Sequence, residues 1–212
     1  MSLHVTSVSR QITLACCKPK IRSKAVNGDW VFGIAGSKLE KPGHCVFGMR
    51  VTDGLSFDEY WMDERFTAKK PVRNGSRAMM LGDNIYHRES ELDAWQQEDS
   101  HHSRPDGLPD QSNVERDTGT NRVLISEDFT YFGRSAPEVP RSVFDAMGYE
   151  NRIGHRNFKR TEAQPLLDWF WVESQKSDGP IVDDPFQFRQ SAARFSSGTN
   201  KIIEEVLEPM VL

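Results

Sequence analysis

The sequence predicts an α+β fold in which a curved, mostly antiparallel sheet is covered by helices from the C-terminal part. Two early segments, "GDWVFGI" and "CVFGMRVT", have strand-like patterns. Patterns typical of amphipathic helices dominate the last third of the chain. The chain also has 5 Trp, 12 Phe and 4 Tyr, which can fill a core although only 37% of its residues are hydrophobic.

Length and charge limit the class of protein. The 212 residues suit a single domain, which we expect to span residues 1–212. A formal net charge of -4 disfavours a duplex-DNA clamp, because such proteins usually carry a strongly basic face. The sequence lacks a run of about eighteen apolar residues and the apolar core of a signal peptide, so we expect a cytoplasmic protein with no membrane partner.

The first predicted elements are two strands that can pair as a hairpin across a long polar loop. In the second strand one face would be formed by Cys45, Phe47, Met49 and Val51, which alternate with the residues between them. Gly33 and Gly48 interrupt the strand patterns, which indicates bulges or the close approach of another group.

A helix is predicted directly after these strands. Ser56 and Glu59 form a capping-box pattern. The buried face of this helix would consist of Phe57, Tyr60 and Trp61. Residues 63–121 are then rich in Asp, Gly, Asn, Ser and Arg, and only "RAMML" and "NIY" look ordered by pattern. So long a polar stretch within a compact domain is usually either functional or disordered.

Order returns at "NRVLISEDFTYFG", where Val123 and Ile125 mark a strand. "VPRSVFDAMG" predicts a short helix with Pro140 near its start and Gly148 at its C-terminal end. "TEAQPLLDWFWVESQK" predicts a longer helix capped by Thr161 and Gln164. Its apolar face would comprise Leu166, Leu167, Phe170 and Trp171. "TNKIIEEVLEPMVL" predicts a last amphipathic helix with Ile202, Ile203, Val206 and Leu207 on its apolar face.

Five segments carry a resemblance to a known family: "TLACCKPKIRSKAVNGDWVFGIAG", "FGMRVTDGLSFDEYWMDERF", "GDNIYHR", "SHHSRPDG" and "NRVLISEDFTYFG". In order and spacing they resemble the second family of nucleotide modification associated domains. The matching core is residues 12–135, and residues 136–212 would form a helical C-terminal part. Residues 1–11 depart from the family pattern, which has a further strand and loop there.

The resemblance implies a bacterial or phage setting of nucleic-acid modification or anti-phage conflict. The expected partner is a nucleotide or a modified base. A weaker likeness of "AVNGDWVFGIAGSK" and "CVFGMRV" to the paired strands of PUA- and EVE-like open barrels concerns the fold only, and a fold does not assign a function.

Recognition of a nucleotide or modified base is the function that the polar and aromatic residues favour. Aromatic rings can stack on a base, amides and carboxylates can bind its edge, and cations can bind its phosphate. The predicted ligand-binding residues are Lys18, Arg22, Trp30, Asp83, Asn84, Tyr86, His87, Arg88, Ser100, His101 and His102. Trp61 and Trp95 are further stacking candidates. The competing interpretation places the aromatic residues in the core.

An enzyme of nucleotide or base modification is the alternative function. His87, His102 and Asp106 would then act in acid–base catalysis, since histidine transfers protons well near neutral pH. A metal could be held by His87, Asp99, His101, His102, Asp106 and Asp117. The chain has no HxH or HExxH pattern, so we predict no metal site and name no cofactor.

The three cysteines, an odd number without a CxxC pair, disfavour a disulfide framework and a structural zinc site. Cys17 precedes Lys18 and lies near Arg22, and such cations can favour a nucleophilic thiolate. Alternatively, Cys16 and Cys17 are small buried hydrophobes on the two faces of a strand.

"RIGHR", residues 152–156, can bind a phosphate or form salt bridges. A purely structural or interaction module, and a homodimer, also remain open.

Overall fold

The computed structural model describes residues 11–39, 41–186, 194–196 and 201–203. Helices and antiparallel sheets are both present, so the predicted α+β class is confirmed. The chain forms two compact units. The first comprises the described residues of ranges 1–25, 53–125 and 187–212, and the second comprises those of ranges 26–52 and 126–186. A single domain over residues 1–212 stays a prediction.

The first unit is built around a sheet of three short strands in the order β1-β7-β4. These strands are β1 (Ile12–Leu14), β4 (Asp53–Leu55) and β7 (Val123–Ser126). Helix α1 (Pro19–Lys24) follows β1, and helix α2 (Phe57–Met62) follows β4. The capping box predicted for α2 is confirmed, because Glu59 N–H donates to Ser56 Oγ and Ser56 N–H donates to the Glu59 carboxylate. Phe57 and Tyr60 are buried as predicted, and Trp61 is half-buried.

The polar stretch of the first unit contains more regular structure than its pattern indicates. Helix α3 (Arg77–Met80) and strand β5 (Tyr86–His87) occur where "RAMML" and "NIY" predicted order. Strand β6 (Gln96–Gln97) pairs antiparallel with β5, and helix α4 (Gln111–Thr118) is additional. Asp110 caps α4 by accepting from Ser112 N–H and Asn113 N–H. Helix α4 lacks an apolar stripe, because its buried residues are Asn113, Val114 and Asp117.

The C-terminal part of the first unit corrects one prediction. Strands β9 (Arg194–Ser196) and β10 (Lys201–Ile203) pair antiparallel, whereas residues 201–203 were predicted to begin a helix. Cross-strand pairing therefore decides the conformation of Ile202 and Ile203, whose side chains suit either element. Val206 and Leu207 of the predicted helix, and residues 1–10, lie outside the described residues.

The second unit contains the predicted hairpin. Strands β2 (Trp30–Ile34) and β3 (Cys45–Arg50) pair antiparallel, and β8 (Asp128–Tyr131) pairs with the other edge of β3. The register shifts between Gly33 and Ile34, as expected for a bulge. Within the described residues the sheets are short and open, and the PUA- or EVE-like barrel stays a prediction.

Two helices supply the remaining core of the second unit. Helix α5 (Arg141–Met147) ends at Gly148, whose φ of 63° is the left-handed conformation that the predicted C-cap requires. Helix α6 (Arg160–Ser174) begins before its predicted cap, because the Glu162 carboxylate accepts from Lys159 N–H. Thr161 and Gln164 therefore lie inside the helix. Of the predicted apolar face, Leu166, Leu167 and Phe170 are buried, whereas Trp171 is 49% exposed.

No helix among the described residues is both long enough and apolar enough to cross a bilayer.

Gly33 is required by close packing in the second unit. A Cβ atom at this position would overlap the ring of Phe47, whose side chain is 1% exposed and cannot move aside. We expect Gly33→Ala to lower the free energy of unfolding by about 1–3 kcal/mol through overpacking. Urea denaturation measures the change. Gly36→Ala is the matched control, since a Cβ there meets nothing within 4 Å, and equal losses in both variants would contradict this account.

Candidate functional site

Cys17 lies at a strained turn between β1 and α1 of the first unit. Its φ is 60° and that of Lys18 is 48°, a left-handed conformation that costs side-chain-bearing residues about 1–2 kcal/mol each. Two contacts hold this turn. Cys17 N–H donates to Asp117 Oδ1 at 2.7 Å, and Arg22 Nε donates to the Cys17 carbonyl at 3.0 Å. The left-handed backbone and these two contacts together fix the direction of the Cys17 side chain.

The Cys17 thiol, the His102 imidazole and the Asp117 carboxylate form a chain of contacts. Cys17 Sγ lies 3.8 Å from His102 Nε2, and His102 Nδ1 lies 2.9 Å from Asp117 Oδ2. His102 and Asp117 are buried, whereas Cys17 is partly exposed. The arrangement is that of a nucleophile, a base and a group that orients the base.

The Asp117 carboxylate is held by further donors. Tyr86 Oη donates to Asp117 Oδ2 at 3.0 Å, and Gln97 Nε2 donates in turn to Tyr86 Oη at 3.0 Å. Both carboxylate oxygens therefore accept hydrogen bonds from groups of the first unit. The orientation of Asp117 is consequently fixed from β5, β6 and the Cys17 turn together.

The backbone of His102 is fixed separately from its ring. The His102 carbonyl accepts from Asn113 Nδ2 at 2.6 Å and from Gln97 Nε2 at 3.2 Å. His102 N–H donates to Ser100 Oγ at 3.2 Å. Ring position and backbone position are thus both determined, which limits the imidazole to the pose that faces Cys17.

The pKa shifts of these groups favour a thiolate–imidazolium pair. Burial alone would raise the pKa of the Cys17 thiol, but the charge and hydrogen bond of His102 outweigh it and lower that pKa. Burial alone would lower the pKa of His102, but the Cys17 thiolate and the Asp117 carboxylate raise it to about 10. Burial opposes ionisation of Asp117 as well, and the contacts with His102, Cys17 N–H and Tyr86 lower its pKa. A charged pair of this kind raises the thiolate fraction of Cys17 and therefore its nucleophilicity.

Cys16 differs from its neighbour in burial and in the direction of its pKa shift. It is fully buried, its Sγ donates to the Asp83 carbonyl at 3.5 Å, and burial raises the pKa of its thiol. The interpretation as a small buried hydrophobe therefore fits Cys16, whereas the nucleophile interpretation fits Cys17.

Arg22 stabilises the backbone around the site. Its side chain is fully buried, although the sequence predicted a phosphate contact. Nη1 donates to the carbonyls of Thr120 and Arg122 at 2.7 and 2.6 Å, and Nη2 donates to the carbonyl of Asp117. The guanidinium thereby connects the Cys17 turn to the end of α4.

Asp83 and Asn84 lie in the core of the first unit, although the sequence predicted that they read the edge of a base. Asp83 accepts from Thr13 Oγ1 at 2.9 Å and from Tyr60 Oη at 2.8 Å. Asn84 Nδ2 donates to the Tyr60 carbonyl at 2.9 Å. Both side chains are fully buried, and these contacts connect the segment before β5 to β1 and α2.

The other predicted site residues have different partners. His87 Nε2 lies 2.9 Å from Glu98 Oε1, and the His87 ring stacks on Trp61 with centroids 4.0 Å apart. Asp106 forms an exposed ion pair with Arg104. Of the predicted acid–base set, His87 thus contacts Glu98 and Asp106 contacts Arg104. The groups facing His102 include Cys17 and Asp117.

The remaining predicted binding residues divide between surface and interior. Arg88 pairs with Asp58 at 2.9 Å and lies over the Trp95 ring at 4.2 Å. Lys18 is half-buried, and Ser100 and His101 are buried. His101 contacts the His102 ring edge-on, with centroids 4.5 Å apart. Trp30 belongs to the second unit, where it contacts Phe32 and Phe170.

One group of potential metal ligands overlaps the site. Single ligand atoms of Cys16, His102 and Asp117 lie within 4.8 Å of one another. Sulfur, nitrogen and carboxylate ligands of this kind suit zinc. His102 and Asp117 of this group are also among the six residues that the sequence offers as possible metal ligands, although no metal site was predicted from them.

From the sequence Cys17 is a candidate nucleophile, but neither Cys17 nor Asp117 belongs to the predicted catalytic set. Asp117 follows His102 by 15 residues, on a polar helix that its pattern did not reveal. The local signal for α4 is Asp110, a residue favoured as an N-cap. No pattern could indicate the contact between Cys17 and His102, which are 85 residues apart.

Removal of the Arg22 guanidinium should destabilise the first unit. Arg22→Met keeps most of the apolar stem but leaves buried carbonyl oxygens without their donor, so we expect a loss of about 3 kcal/mol in the free energy of unfolding. Chemical denaturation monitors this loss. Lys24→Ala, at an exposed position of the same helix, should change stability little, and an unaltered Arg22→Met protein would contradict the role of Arg22.

The ionisation of Cys17 can be measured by alkylation with iodoacetamide across pH. We expect the rate at Cys17 to fall only at a pH below the ordinary thiol pKa, because His102 stabilises the thiolate. In His102→Ala that stabilisation is lost, so the rate should fall at a higher pH. Peptide mass spectrometry separates Cys17 from Cys16 and Cys45, whose buried thiols should react slowly. Identical pH profiles for the two proteins would contradict the pairing.

Comparisons with known proteins identify the family to which the chain belongs. Searches among curated proteins and among solved structures found no match. The family profile described as nucleotide modification associated domain 2 matches residues 7–192, which is most of the chain and includes Cys17, His102 and Asp117. The chain therefore belongs to the second family of nucleotide modification associated domains, and this membership indicates a role in nucleotide modification systems.

Proposed function

We propose that the protein is a cysteine-dependent enzyme that acts on an acyl or amide group carried by a nucleotide or a modified base. The observation that carries the proposal is the contact chain from Cys17 Sγ through His102 to the buried Asp117 carboxylate. Family membership supports the nucleotide as the carrier of the reacting group. The thiolate suits attack on a carbonyl carbon.

In the first half-reaction the Cys17 thiolate forms a carbon–sulfur bond with the carbonyl carbon. The bond from that carbon to its nitrogen or oxygen leaving group breaks, and the imidazolium of His102 donates its Nε2 proton to the leaving group. Asp117 holds the ring through Nδ1, so that Nε2 faces the reacting atoms. The product of this step is a thioester on Cys17.

In the second half-reaction His102 removes a proton from water or from an acceptor amine or alcohol. The acceptor oxygen or nitrogen attacks the thioester carbon, the carbon–sulfur bond breaks, and the Cys17 thiolate is restored. His102 again carries the proton, so charge and atoms balance over the cycle. Hydrolysis and acyl transfer differ only in the acceptor.

The pH dependence follows from the same pair. Activity requires the thiolate and is lost as pH falls through the lowered pKa of Cys17. It also requires the protonated imidazole and is lost as pH rises through the pKa of His102, which is about 10. A bell-shaped profile is therefore expected.

Recognition of a nucleotide or modified base without turnover is the second function considered. Half-exposed aromatic rings of the first unit favour it, since Trp61 stacks on His87 and lies under Lys70 Nζ at 3.6 Å. Such rings and cations suit bases and phosphates. In an enzyme the same contacts would serve the binding step.

The test is incubation of the protein with a panel of acylated and amide-bearing nucleosides and oligonucleotides, analysed by mass spectrometry. We expect turnover by the wild type, a thioester adduct at Cys17, and a loss of about a thousandfold or more in Cys17→Ala. Cys45→Ala removes a thiol from the second unit and is the matched control. Undiminished turnover in Cys17→Ala would remove the proposal, and binding of intact ligand after long incubation would favour recognition.

A further inference from the structure

Arg194 reaches the turn that carries His102 from a distant part of the first unit. It lies on β9, and its side chain is only 5% exposed. Arg194 Nη1 lies 2.6 Å from Asp99 Oδ1, 2.8 Å from the Ser100 carbonyl and 2.6 Å from Ser103 Oγ. One guanidinium nitrogen therefore contacts the turn of residues 99–103 at three places.

The turn of residues 99–103 is organised around the same atoms. Ser100 N–H donates to Ser103 Oγ at 2.8 Å, and Ser103 N–H donates to the Ser100 carbonyl at 3.2 Å. Ser100 Oγ accepts from His102 N–H. Arg194 thus binds the two residues that flank His101 and His102 and that close the turn. A loss of Arg194 would loosen the turn at both ends.

We propose that Arg194 is a positioning residue for the catalytic histidine: it fixes the turn of residues 99–103 so that the His102 ring faces Cys17 and Asp117. This inference rests on the proposed function of Cys17 and His102. Arg194 acts through the turn, and its described contacts are to Asp99, Ser100 and Ser103.

The geometry at His102 makes small displacements of the turn consequential. The Cys17 Sγ to His102 Nε2 distance of 3.8 Å is near the long end for a hydrogen bond to sulfur. The His102 ring must also keep its 2.9 Å contact with Asp117. A shift of the turn lengthens one contact or the other. A misplacement of about 1 Å that originates away from the reacting atoms can reduce a rate about a hundredfold.

The test compares Arg194→Ala with Arg194→Lys in the full chain. The measurements are the pH profile of Cys17 alkylation by iodoacetamide, the turnover of the acylated and amide-bearing nucleosides and oligonucleotides of the panel, and the melting temperature. We expect Arg194→Ala to shift the alkylation midpoint upward and to reduce the rate at neutral pH about tenfold, since a tenfold smaller thiolate fraction reacts tenfold more slowly. Arg194→Lys should restore part of the rate, because a single ammonium can satisfy some of the three contacts.

Other titratable and charged groups around the pair are unchanged in these variants. Among the described residues, those facing Cys17 and His102 include Asp117 from α4, Tyr86 from β5, Arg22 from α1, the adjacent Cys16, and His101 from the same turn. Arg141→Ala is the matched control, since Arg141 is an exposed arginine of the second unit paired with Asp145. It should leave the profile at its wild-type midpoint.

The outcomes separate this inference from the proposed function. If Arg194→Ala lowers the melting temperature but keeps the wild-type midpoint, while His102→Ala shifts it, Arg194 is only structural and the inference is overturned. If the wild type and His102→Ala share the midpoint of an ordinary thiol, the proposed function fails and the inference fails with it. Should Arg194→Ala not fold, Ser103→Ala, which removes one acceptor of Arg194, must show the same upward shift in smaller measure.

Discussion

The buried carboxylate of Asp117 is the constraint on which the first unit depends. The two carboxylate oxygens accept from Cys17 N–H, Tyr86 Oη and His102 Nδ1. The backbone carbonyl of Asp117 accepts from Arg22. A buried carboxylate is tolerated only when donors and a partner charge compensate its lost hydration. The chain must therefore bring the Cys17 turn, β5 and the His102 turn to the same helix.

These compensating contacts also explain why the two turns that carry Cys17 and His102 are ordered although neither turn is part of a helix or strand. The Cys17 turn is strained, and the His102 turn belongs to a segment rich in polar residues. Hydrogen bonds from side chains to backbone groups hold both turns, as expected where loops carry function. Polar networks of this kind are stable only when their members are satisfied together, so loss of one member affects the rest.

Different interactions stabilise the second unit. Its order comes from the antiparallel strands β2, β3 and β8 and from rings that contact edge to face, such as Trp30 and Phe32 on Phe170. Close packing there excludes side chains at Gly33 and Gly48. Apolar burial and local pairing dominate this unit, whereas compensated polar burial dominates the first.

The sequence by itself determined the elements whose signals are local. The hairpin of β2 and β3, the capping box at Ser56 and the glycine C-cap at Gly148 each depend on residues close together in the chain, and each was confirmed. Helix α4 was not predicted from the sequence. An amphipathic pattern treats polar residues as exposed, whereas Asn113 and Asp117 of α4 are buried.

Only the tertiary structure decided the candidate site. Cys17 and His102 are 85 residues apart, and Arg194 is 91 residues beyond Ser103, so no spacing could reveal their contacts. The sequence supplied the family and singled out His102, but it also assigned Asp83, Asn84 and Arg22 to a ligand. Burial, which follows from long-range packing, is what distinguishes a polar side chain that supports a site from one that lines it.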